Sequence, residues 1–181
     1  LAAWGLRAPA SQLEGGQGTS VRVGDVVLKP RADEALVAWY AGLRSRIATS
    51  DAFRLPAVVP ALDGRLVVDG WTATTFVDGD PIHDDDADAA SWLPVLAAGR
   101  ALHAAVADEP CPAFLAGRDH RWARADRVAW GELAATDVGV LSRPLLESAL
   151  ALVVDEGLPA QLVHGDLSGN VLLGHGLVPT V

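Results

Sequence analysis

The chain has 181 residues, of which 50% are hydrophobic and 20% are charged, and its formal net charge is −9. This composition excludes a disordered or low-complexity chain, and no uncharged apolar stretch of about 18 residues is present to span a membrane. The single cysteine, Cys111, excludes an internal disulfide framework and favours a reducing, cytoplasmic location. The basic residues are scattered along an acidic chain, which argues against nucleic-acid binding.

The basic residues are almost all of one type. Of the 14, all but Lys29 are arginine. A lysine that persists under such a bias indicates a specific role for its ammonium group, although a surface lysine at a strand end is the ordinary alternative. Four arginines recur at every third position and are expected to line a solvated helix face. They are Arg118, Arg121, Arg124 and Arg127.

The first part of the chain is predicted to be rich in strands. Polar and apolar residues alternate over 19–23, and a Gly-Asp turn leads to a partner strand over 26–29. Pro30 ends this strand because it has no N–H group to donate. Apolar residues at the helical period then predict a helix that begins at Asp33.

Three further strands are predicted after Pro56. They cover residues 57–62, 65–68 and 71–77. Between them lie Asp63-Gly64 and Asp69-Gly70, and such dipeptides favour tight hairpins because both central positions take positive φ. The sequence therefore predicts an antiparallel meander.

The remaining residues are predicted to be mainly helical. A Gly-Asp-Pro connector at 79–81 leads to helices over 89–107 and 145–155, with a less regular helical stretch between them. His103 lies beside the apolar stripe of the first helix, and we expect a partly buried structural histidine there. The C-terminus is predicted to be a strand–loop–strand–turn–strand unit. Its strands are residues 161–163, 171–173 and 177–181, and its turn is His175-Gly176.

The clearest chemical pattern lies between the first two of those strands and reads His164-Gly165-Asp166-Leu167-Ser168-Gly169-Asn170. Phosphoryl transfer requires a carboxylate that orients the attacking hydroxyl and accepts its proton, and oxygen ligands for Mg²⁺. Asp166 is the candidate catalytic base, Asn170 the candidate metal ligand, and His164 a brace for the loop. An ordinary polar turn is the alternative, because Asp, Ser, Gly and Asn are common in turns.

This 164–170 loop resembles the catalytic loop of the aminoglycoside phosphotransferase family, and the chain looks most like an actinobacterial group of such proteins. The resemblance covers nearly the whole chain, in the order glycine-containing loop, strand lysine, helix, hinge, catalytic loop and hairpin. It implies an α+β, protein-kinase-like two-lobe fold, with an antiparallel-sheet N-lobe over 1–78 and an incomplete helical C-lobe over 79–181. In one departure, three residues separate Asp166 from Asn170 where the family usually has four.

The resemblance also implies a site for ATP or GTP with Mg²⁺. Gly15, Gly16 and Gly18 lie in the segment that would cover the nucleotide. Glycines suit this position because they let backbone N–H groups approach phosphate oxygens closely. A simple hairpin turn is the alternative for these glycines.

Further nucleotide contacts are implied in the first lobe. Lys29 would contact the phosphates, and Glu34 would pair with it as the helix glutamate of kinase-like sites. Glu34 would equally serve as a favourable charge at the helix N-terminus. Phe76 and Val77 match the interlobe segment whose backbone groups receive adenine.

The implied reaction transfers a γ-phosphate to a hydroxyl of a small molecule. The acidic residues near the hinge weakly favour a cationic acceptor, although helix capping explains them equally well. They are Asp78, Asp80, Asp84, Asp85, Asp86 and Asp88. A non-catalytic nucleotide-binding or regulatory module is the alternative function. The sequence indicates no oligomeric state.

No Asp or Glu follows Asn170 in this chain. The family has a second metal-binding Asp just beyond the catalytic-loop hairpin, so the chain is expected to be truncated before it. We therefore expect the 181-residue chain by itself to have negligible transferase activity. The absence of methionine and the start at Leu1 are also expected of a fragment.

Overall fold

The computed structural model describes residues 1–13, 18–47, 50–82, 88–136, 138–153, 157, 160–174 and 178–181. It is an α+β structure with an antiparallel five-stranded sheet. The chain divides into two compact units. The main unit comprises Leu1–Pro110 and Gln161–Val181, and the insert unit comprises Cys111–Ala160. The two units are defined by the contacts within each of them, and they do not test the predicted lobe boundary at residue 78.

The sheet is formed by strands from the first 75 residues in the order β1-β2-β3-β5-β4. Its strands are β1 (Ala10–Gln12), β2 (Val21–Val23), β3 (Val26–Pro30), β4 (Val67–Val68) and β5 (Trp71–Thr75). β3 pairs with β5 over its whole length, from Val26 opposite Thr75 to Pro30 opposite Trp71. Pro30 is the last residue of β3, as predicted.

Two tight turns fix the register of this sheet. Gly24, with φ 61°, begins the turn between β2 and β3. Asp69 and Gly70 join β4 to β5 with φ of 51° and 75°. Positive φ at both central residues matches the right-handed twist of the flanking strands. The predicted hairpin at this dipeptide is therefore confirmed.

Helix α1 (Glu34–Arg46) begins at its predicted cap. The Asp33 carboxylate accepts hydrogen bonds from the N–H groups of Ala35 and Leu36, which have no partner inside the helix. Further along, the Tyr40 hydroxyl donates a hydrogen bond of 2.8 Å to the Pro56 carbonyl. Burial raises the pKa of Tyr40 to about 12, so this hydroxyl remains a donor at neutral pH.

One face of the sheet is covered by the N-terminal segment. Val23, Leu28 and Ala73 are buried on this face, and Trp4 packs against them. The Trp4 indole N–H donates a hydrogen bond of 2.9 Å to the Val59 carbonyl, which fixes the ring over the sheet. Each large apolar side chain buried in this way contributes roughly 1.5–3 kcal/mol.

A second core joins α1 to helix α2 (Leu93–Ala105) and to the C-terminal segment. Its fully buried members include Leu43 from α1, Ala98 from α2 and Val171 from the last segment. Val171 follows the 164–170 loop directly and is only 1% exposed. The end of the loop is therefore anchored in the core.

A short ladder connects the hinge region with the segment after the loop. β6 (Asp80–Pro81) pairs antiparallel with β7 (Leu172–Leu173). Thr180 forms bridges with Leu172 and with Arg54, so residues 178–181 lie beside β7. The segment with Phe76 and Val77 precedes β6, and the 164–170 loop precedes β7. Because the two strands are antiparallel, these segments enter the ladder at opposite ends.

The insert unit contains three short helices. They are α3 (Ala113–Ala116), α4 (Arg121–Ala129) and α5 (Arg143–Leu150). None of them has a buried residue. On α4, Arg124 and Arg127 lie within 3.9 Å of Asp119 and 3.4 Å of Glu132, respectively. Arg121, Arg124 and Arg127 therefore lie on one largely solvated helix, as expected, whereas Arg118 precedes the helix and is not part of its stripe.

Several predicted elements differ from those observed. Residues 57–62 form only a bridge from Val58 to Thr74, because Pro56 and Pro60 interrupt the donors that a ladder needs. Residues 161–163 form no strand, and the helices predicted over 89–107 and 145–155 are shorter. The turn predicted at His175-Gly176 lies outside the described residues. Within the described part of the chain, no helix has the length and apolar character needed to cross a membrane.

Candidate functional site

The backbone of the 164–170 loop is held by its own side chains. The N–H of Asp166 donates to Nδ1 of His164 at 3.3 Å. The side-chain amide of Asn170 donates to the carbonyls of Asp166 at 3.0 Å and of Ser168 at 3.2 Å. His164, Asp166 and Asn170, which the sequence singled out, are therefore brought together by direct hydrogen bonds.

The Asp166 carboxylate lies at the surface of this loop. Its side chain is exposed, and within the described chain it accepts no hydrogen bond. The main-chain atoms of Asp166 are held on both sides, by His164 and by Asn170. A carboxylate on a fixed backbone, with its oxygen atoms uncommitted, is suited to accept a proton from a ligand.

The orientation of Asn170 follows from its partners. Both atoms that it contacts are carbonyl oxygens, which accept only, so the NH₂ group must face them. The Oδ1 atom consequently faces away, and among the described residues it has no donor. An amide oxygen of this kind is a ligand that Mg²⁺ accepts. The shortened spacing between Asp166 and Asn170 is thus compatible with a free oxygen on Asn170.

His164 is half-buried, and burial is the main cause that lowers its pKa below the ordinary value of 6.5. The neighbouring Asp166 charge raises this pKa, and His103 lowers it, but burial dominates. A lowered pKa keeps the imidazole neutral at pH 7. Only a neutral imidazole can accept the Asp166 N–H at Nδ1, so electrostatics and geometry agree.

Lys29 lies on β3 with its side chain exposed. Successive residues of a strand face opposite sides, and Leu28 is buried in the core of the sheet, so Lys29 faces away from that core. Its partner across the ladder is Thr72. The Thr72 Oγ1 atom is buried and has no hydrogen-bond partner in the described structure. Lys29 and Thr72 therefore share one face of the sheet, with Lys29 exposed and Thr72 buried.

Glu34 is placed in the first turn of α1, and its side chain is exposed. Within the described residues no ion pair joins Glu34 to Lys29. The Glu34 charge is instead among those that raise the pKa of Arg65. The position of Glu34 fits the alternative of a favourable charge at a helix N-terminus.

The glycine-containing segment connects β1 to β2, which are antiparallel neighbours. Gly18 has φ 62° and its carbonyl accepts a hydrogen bond from the Gln12 side chain across the hairpin. Gly15 and Gly16 lie outside the described residues. The strands that flank this segment, β1 and β2, lie at one edge of the sheet that carries Lys29.

Phe76 and Val77 follow β5 and lead to the β6–β7 ladder. The Phe76 N–H donates to the Asp25 carbonyl at 2.8 Å, and the Arg22 guanidinium lies 3.4 Å from the Phe76 ring centroid. The N–H and C=O of Val77 have no hydrogen-bond partner within the described chain. Val77 itself is half-buried.

The acidic residues near the hinge have different surroundings. Asp78 and Asp80 are exposed, whereas Asp88 accepts hydrogen bonds from the N–H and hydroxyl of Ser91 at 2.8 and 2.7 Å. These bonds lower the pKa of Asp88 and give it a local structural role. Asp84, Asp85 and Asp86 lie outside the described residues.

The described residues contain no group of three or more His, Cys, Asp or Glu side chains placed to hold a metal ion. The loop supplies Asn170 Oδ1 and the Asp166 carboxylate. Asn170 Oδ1, the candidate metal ligand, suits Mg²⁺ only if phosphate oxygens complete its coordination, as is usual for nucleotide-bound magnesium.

A cavity of about 490 Å³ lies on the core face of the sheet. Trp4, Leu28 and Trp71 are among its lining residues. Because Lys29 faces the other side of the sheet, this cavity is separate from the face that carries the predicted nucleotide contacts.

Sequence reasoning missed the two α2 residues that contact the loop. His103 Nε2 accepts a hydrogen bond of 3.0 Å from the His164 N–H, and Gly99 lies against Leu167. The expectation of a partly buried structural histidine is correct, but its partner was not foreseen. The four-residue spacing of Gly99 and His103 on a helix was the available signal.

Comparisons with protein-family models and with curated proteins find no match for this chain. The resemblance to phosphotransferases therefore stays an expectation from the sequence.

Proposed function

We propose that this chain carries the nucleotide site and catalytic loop of a kinase-like small-molecule phosphotransferase that uses ATP or GTP. The observation that carries the proposal is the exposed Asp166 carboxylate, which is uncommitted while the backbone around it is fixed at His164 and Asn170. A simple turn does not require side chains to hold the backbone of its central carboxylate residue from both sides. The aminoglycoside phosphotransferase-like arrangement and the two-lobe fold belong to the same proposal.

The sheet supplies the second support. Lys29 provides the only ammonium side chain of the chain, and it is exposed on the sheet face opposite the core formed by Val23, Leu28 and Ala73. A nucleotide phosphate beside Lys29 would neutralise this ammonium group. The unpaired backbone of Val77 would meet the base, and the β1–β2 loop with Gly18 would cover the phosphates.

In the proposed reaction the acceptor hydroxyl oxygen bonds to the γ-phosphorus while the bond from that phosphorus to the β–γ bridging oxygen breaks. The hydroxyl proton passes to the Asp166 carboxylate, and the nucleoside diphosphate leaves with the electron pair of the broken bond. When bound, Mg²⁺ supplies charge neutralisation on the phosphates. Asn170 Oδ1 is the side-chain atom of the loop that would hold it.

Nucleotide binding to the 181-residue chain tests the proposal. We expect MgATP or MgGTP to bind, and Lys29→Ala to weaken binding roughly 10- to 100-fold, because a charge-assisted contact contributes about 1.5–3 kcal/mol. Arg7→Ala removes one exposed positive charge from the same unit and is the matched control. Isothermal titration measures both. Equal affinity of Lys29→Ala and the unmodified chain would exclude the phosphate role of Lys29.

The alternative is a non-catalytic nucleotide-binding module, which the placement of Lys29 and Val77 supports equally well. The protein encoded by the complete gene separates the two. If it is an enzyme, Asp166→Asn should abolish phosphate transfer while nucleotide affinity stays unchanged. Retained turnover would remove Asp166 from the role of base, and nucleotide binding without any transfer would favour the alternative.

A further inference from the structure

Helix α2 contacts the 164–170 loop through two residues that lie one helical turn apart. We propose that Gly99 and His103 are positioning residues that fix the loop, and with it the direction of the Asp166 carboxylate. The catalytic meaning of this positioning rests on the proposed function, whereas the positioning itself does not.

Gly99 provides a notch for Leu167. Gly99 is buried in the middle of α2, and a Cβ atom placed on it would overlap with Leu167 Cδ1 and lie 3.5 Å from Leu167 Cγ. The φ of Gly99 is not positive, so the helix does not need glycine there for conformational reasons. The need for a hydrogen atom instead of a methyl group therefore comes from the loop.

His103 provides a hydrogen-bond acceptor. Its Nε2 atom accepts the His164 N–H at 3.0 Å, and its own carbonyl accepts a hydrogen bond of 3.3 Å from the Gln161 side chain. A ring nitrogen that accepts must carry no proton, so His103 is neutral with its proton on Nδ1. His103 thus holds the segment that enters the loop at both His164 and Gln161.

The two contacts enclose Asp166. Leu167 follows it directly, and His164 precedes it by two residues and itself accepts the Asp166 N–H. Positions 99 and 103 lie on the same face of a helix because four residues make about one turn. One face of α2 therefore contacts the loop both before and after Asp166, and these contacts fix the position of its backbone.

The sign of the stability change in Gly99→Ala tests whether Leu167 fills the space beside Gly99. Alanine is favoured over glycine in a helix interior, so this change should stabilise the chain unless the notch is occupied. Gly42→Ala in α1 is the matched control. A Cβ at either glycine meets the end of a side chain, but Arg46, whose Nη1 atom lies 3.0 Å from the Cβ position of Gly42, is half exposed and can move aside, whereas Leu167 packs against the core. Leu167→Ala removes the side chain that fills the notch.

The experiment measures amide hydrogen exchange in the full 181-residue chain, without nucleotide. We expect Gly99→Ala to accelerate exchange at the amides of the loop by about tenfold or more, while the α1 amides and the Gly42→Ala control keep their rates. Adding Leu167→Ala to Gly99→Ala should bring the rates of the remaining loop amides near those of Leu167→Ala alone. Identical behaviour of Gly99→Ala and Gly42→Ala would overturn the role of Gly99.

His103 is tested by replacement with leucine and with glutamine. His103→Leu should accelerate exchange of the His164 amide about tenfold, and His103→Gln, whose side-chain oxygen can accept, should partly restore protection. The ¹⁵N shift of His103 Nε2 should be that of an unprotonated nitrogen. A protonated Nε2, or an unchanged exchange rate of the His164 amide in His103→Leu, would overturn the role of His103. This test of the positioning proposal can be made even if Gly99→Ala fails to fold.

These readouts are independent of the nucleotide experiment. Loop exchange that responds as expected in a chain that binds no nucleotide would support positioning and refute the proposed function. The converse result, nucleotide binding with a loop that ignores Gly99 and His103, would refute positioning alone. In the active protein of the complete gene, Gly99→Ala should lower kcat with little change in the KM for nucleotide.

Discussion

At the scale of single residues, His164 is important because its ring must stay neutral. It accepts the Asp166 N–H at Nδ1 and is packed against His103, and burial lowers its pKa. Protonation would remove the acceptor and place an imidazolium beside the neutral His103 ring. The integrity of the 164–170 loop is consequently linked to pH.

The sign of this linkage can be worked out. Because the His164 pKa lies below 6.5 in the folded chain, the unfolded chain binds more protons between the two values. The contribution of His164 to the free energy of unfolding is thus fully present above about pH 6.5 and is lost as the pH falls through the folded pKa. We expect NMR titration of His164 to give a midpoint below 6.5.

His164→Asn separates titration from hydrogen bonding. An asparagine oxygen can still accept the Asp166 N–H but does not titrate in this range. The variant should therefore unfold at a similar urea concentration at pH 8 and lose less stability than the unmodified chain between pH 6.5 and 5. A variant with the same pH dependence as the unmodified chain would show that His164 is not the group responsible.

At the scale of elements, the β4–β5 hairpin depends on one glycine. Gly70 has φ 75° and no atom lies within 4 Å of the position that a Cβ would take, so the cost of a side chain there is conformational alone. Gly70→Ala should reduce the free energy of unfolding by about 1–2 kcal/mol, and Gly70→Asn by less, because asparagine tolerates this region better.

Urea unfolding measures these changes. Gly139→Ala is the control, because Gly139 lacks positive φ and has open space around its Cβ position. The control should be near neutral or slightly stabilising, since alanine reduces the entropy of the unfolded chain. If Gly70→Ala and Gly139→Ala had equal effects, the positive φ of Gly70 would not be what the hairpin requires.

The elements that could be predicted from sequence are those with local causes. The cap at Asp33 and the turn at Asp69-Gly70 depend on residues within three positions of each other. Residues 161–163 look like a strand, but Gln161, the first of them, and His164, which follows them, bond to His103 on a helix. The strand prediction is wrong there because the backbone conformation depends on contacts with His103, which is about sixty residues away in the chain.

At the scale of the whole molecule, burial is concentrated in the main unit. All residues of both hydrophobic cores belong to it, and none of the described residues in Cys111–Ala160 is fully buried. Local opening is easiest where few apolar contacts must be broken. The insert unit is therefore expected to open well below the free energy of global unfolding.

Native-state hydrogen exchange tests this expectation. Amides of α4 and α5 should exchange at least about a hundredfold faster than those of α1 and α2, since a difference of about 3 kcal/mol in opening free energy corresponds to that factor. Protection of α4 equal to that of α2 would contradict it.

The candidate site was only partly visible in the sequence. His164, Asp166 and Asn170 are close in the chain, and their hydrogen bonds follow from that closeness. The contacts of Gly99 and His103 are long-range and could not be read from spacing alone. The expected ion pair between Lys29 and Glu34 likewise depends on how a strand and a helix pack together. No such pair is present among the described residues.

The β6–β7 ladder has a consequence for how the chain is made. It joins residues about ninety positions apart, and Val171 beside it completes the core shared by α1 and α2. During synthesis, α1 and α2 leave the ribosome before Val171, so the core that they share stays open until Val171 emerges. This core is thus exposed to chaperones and proteases for longer than the five-stranded sheet, which can form as soon as Thr75 is free.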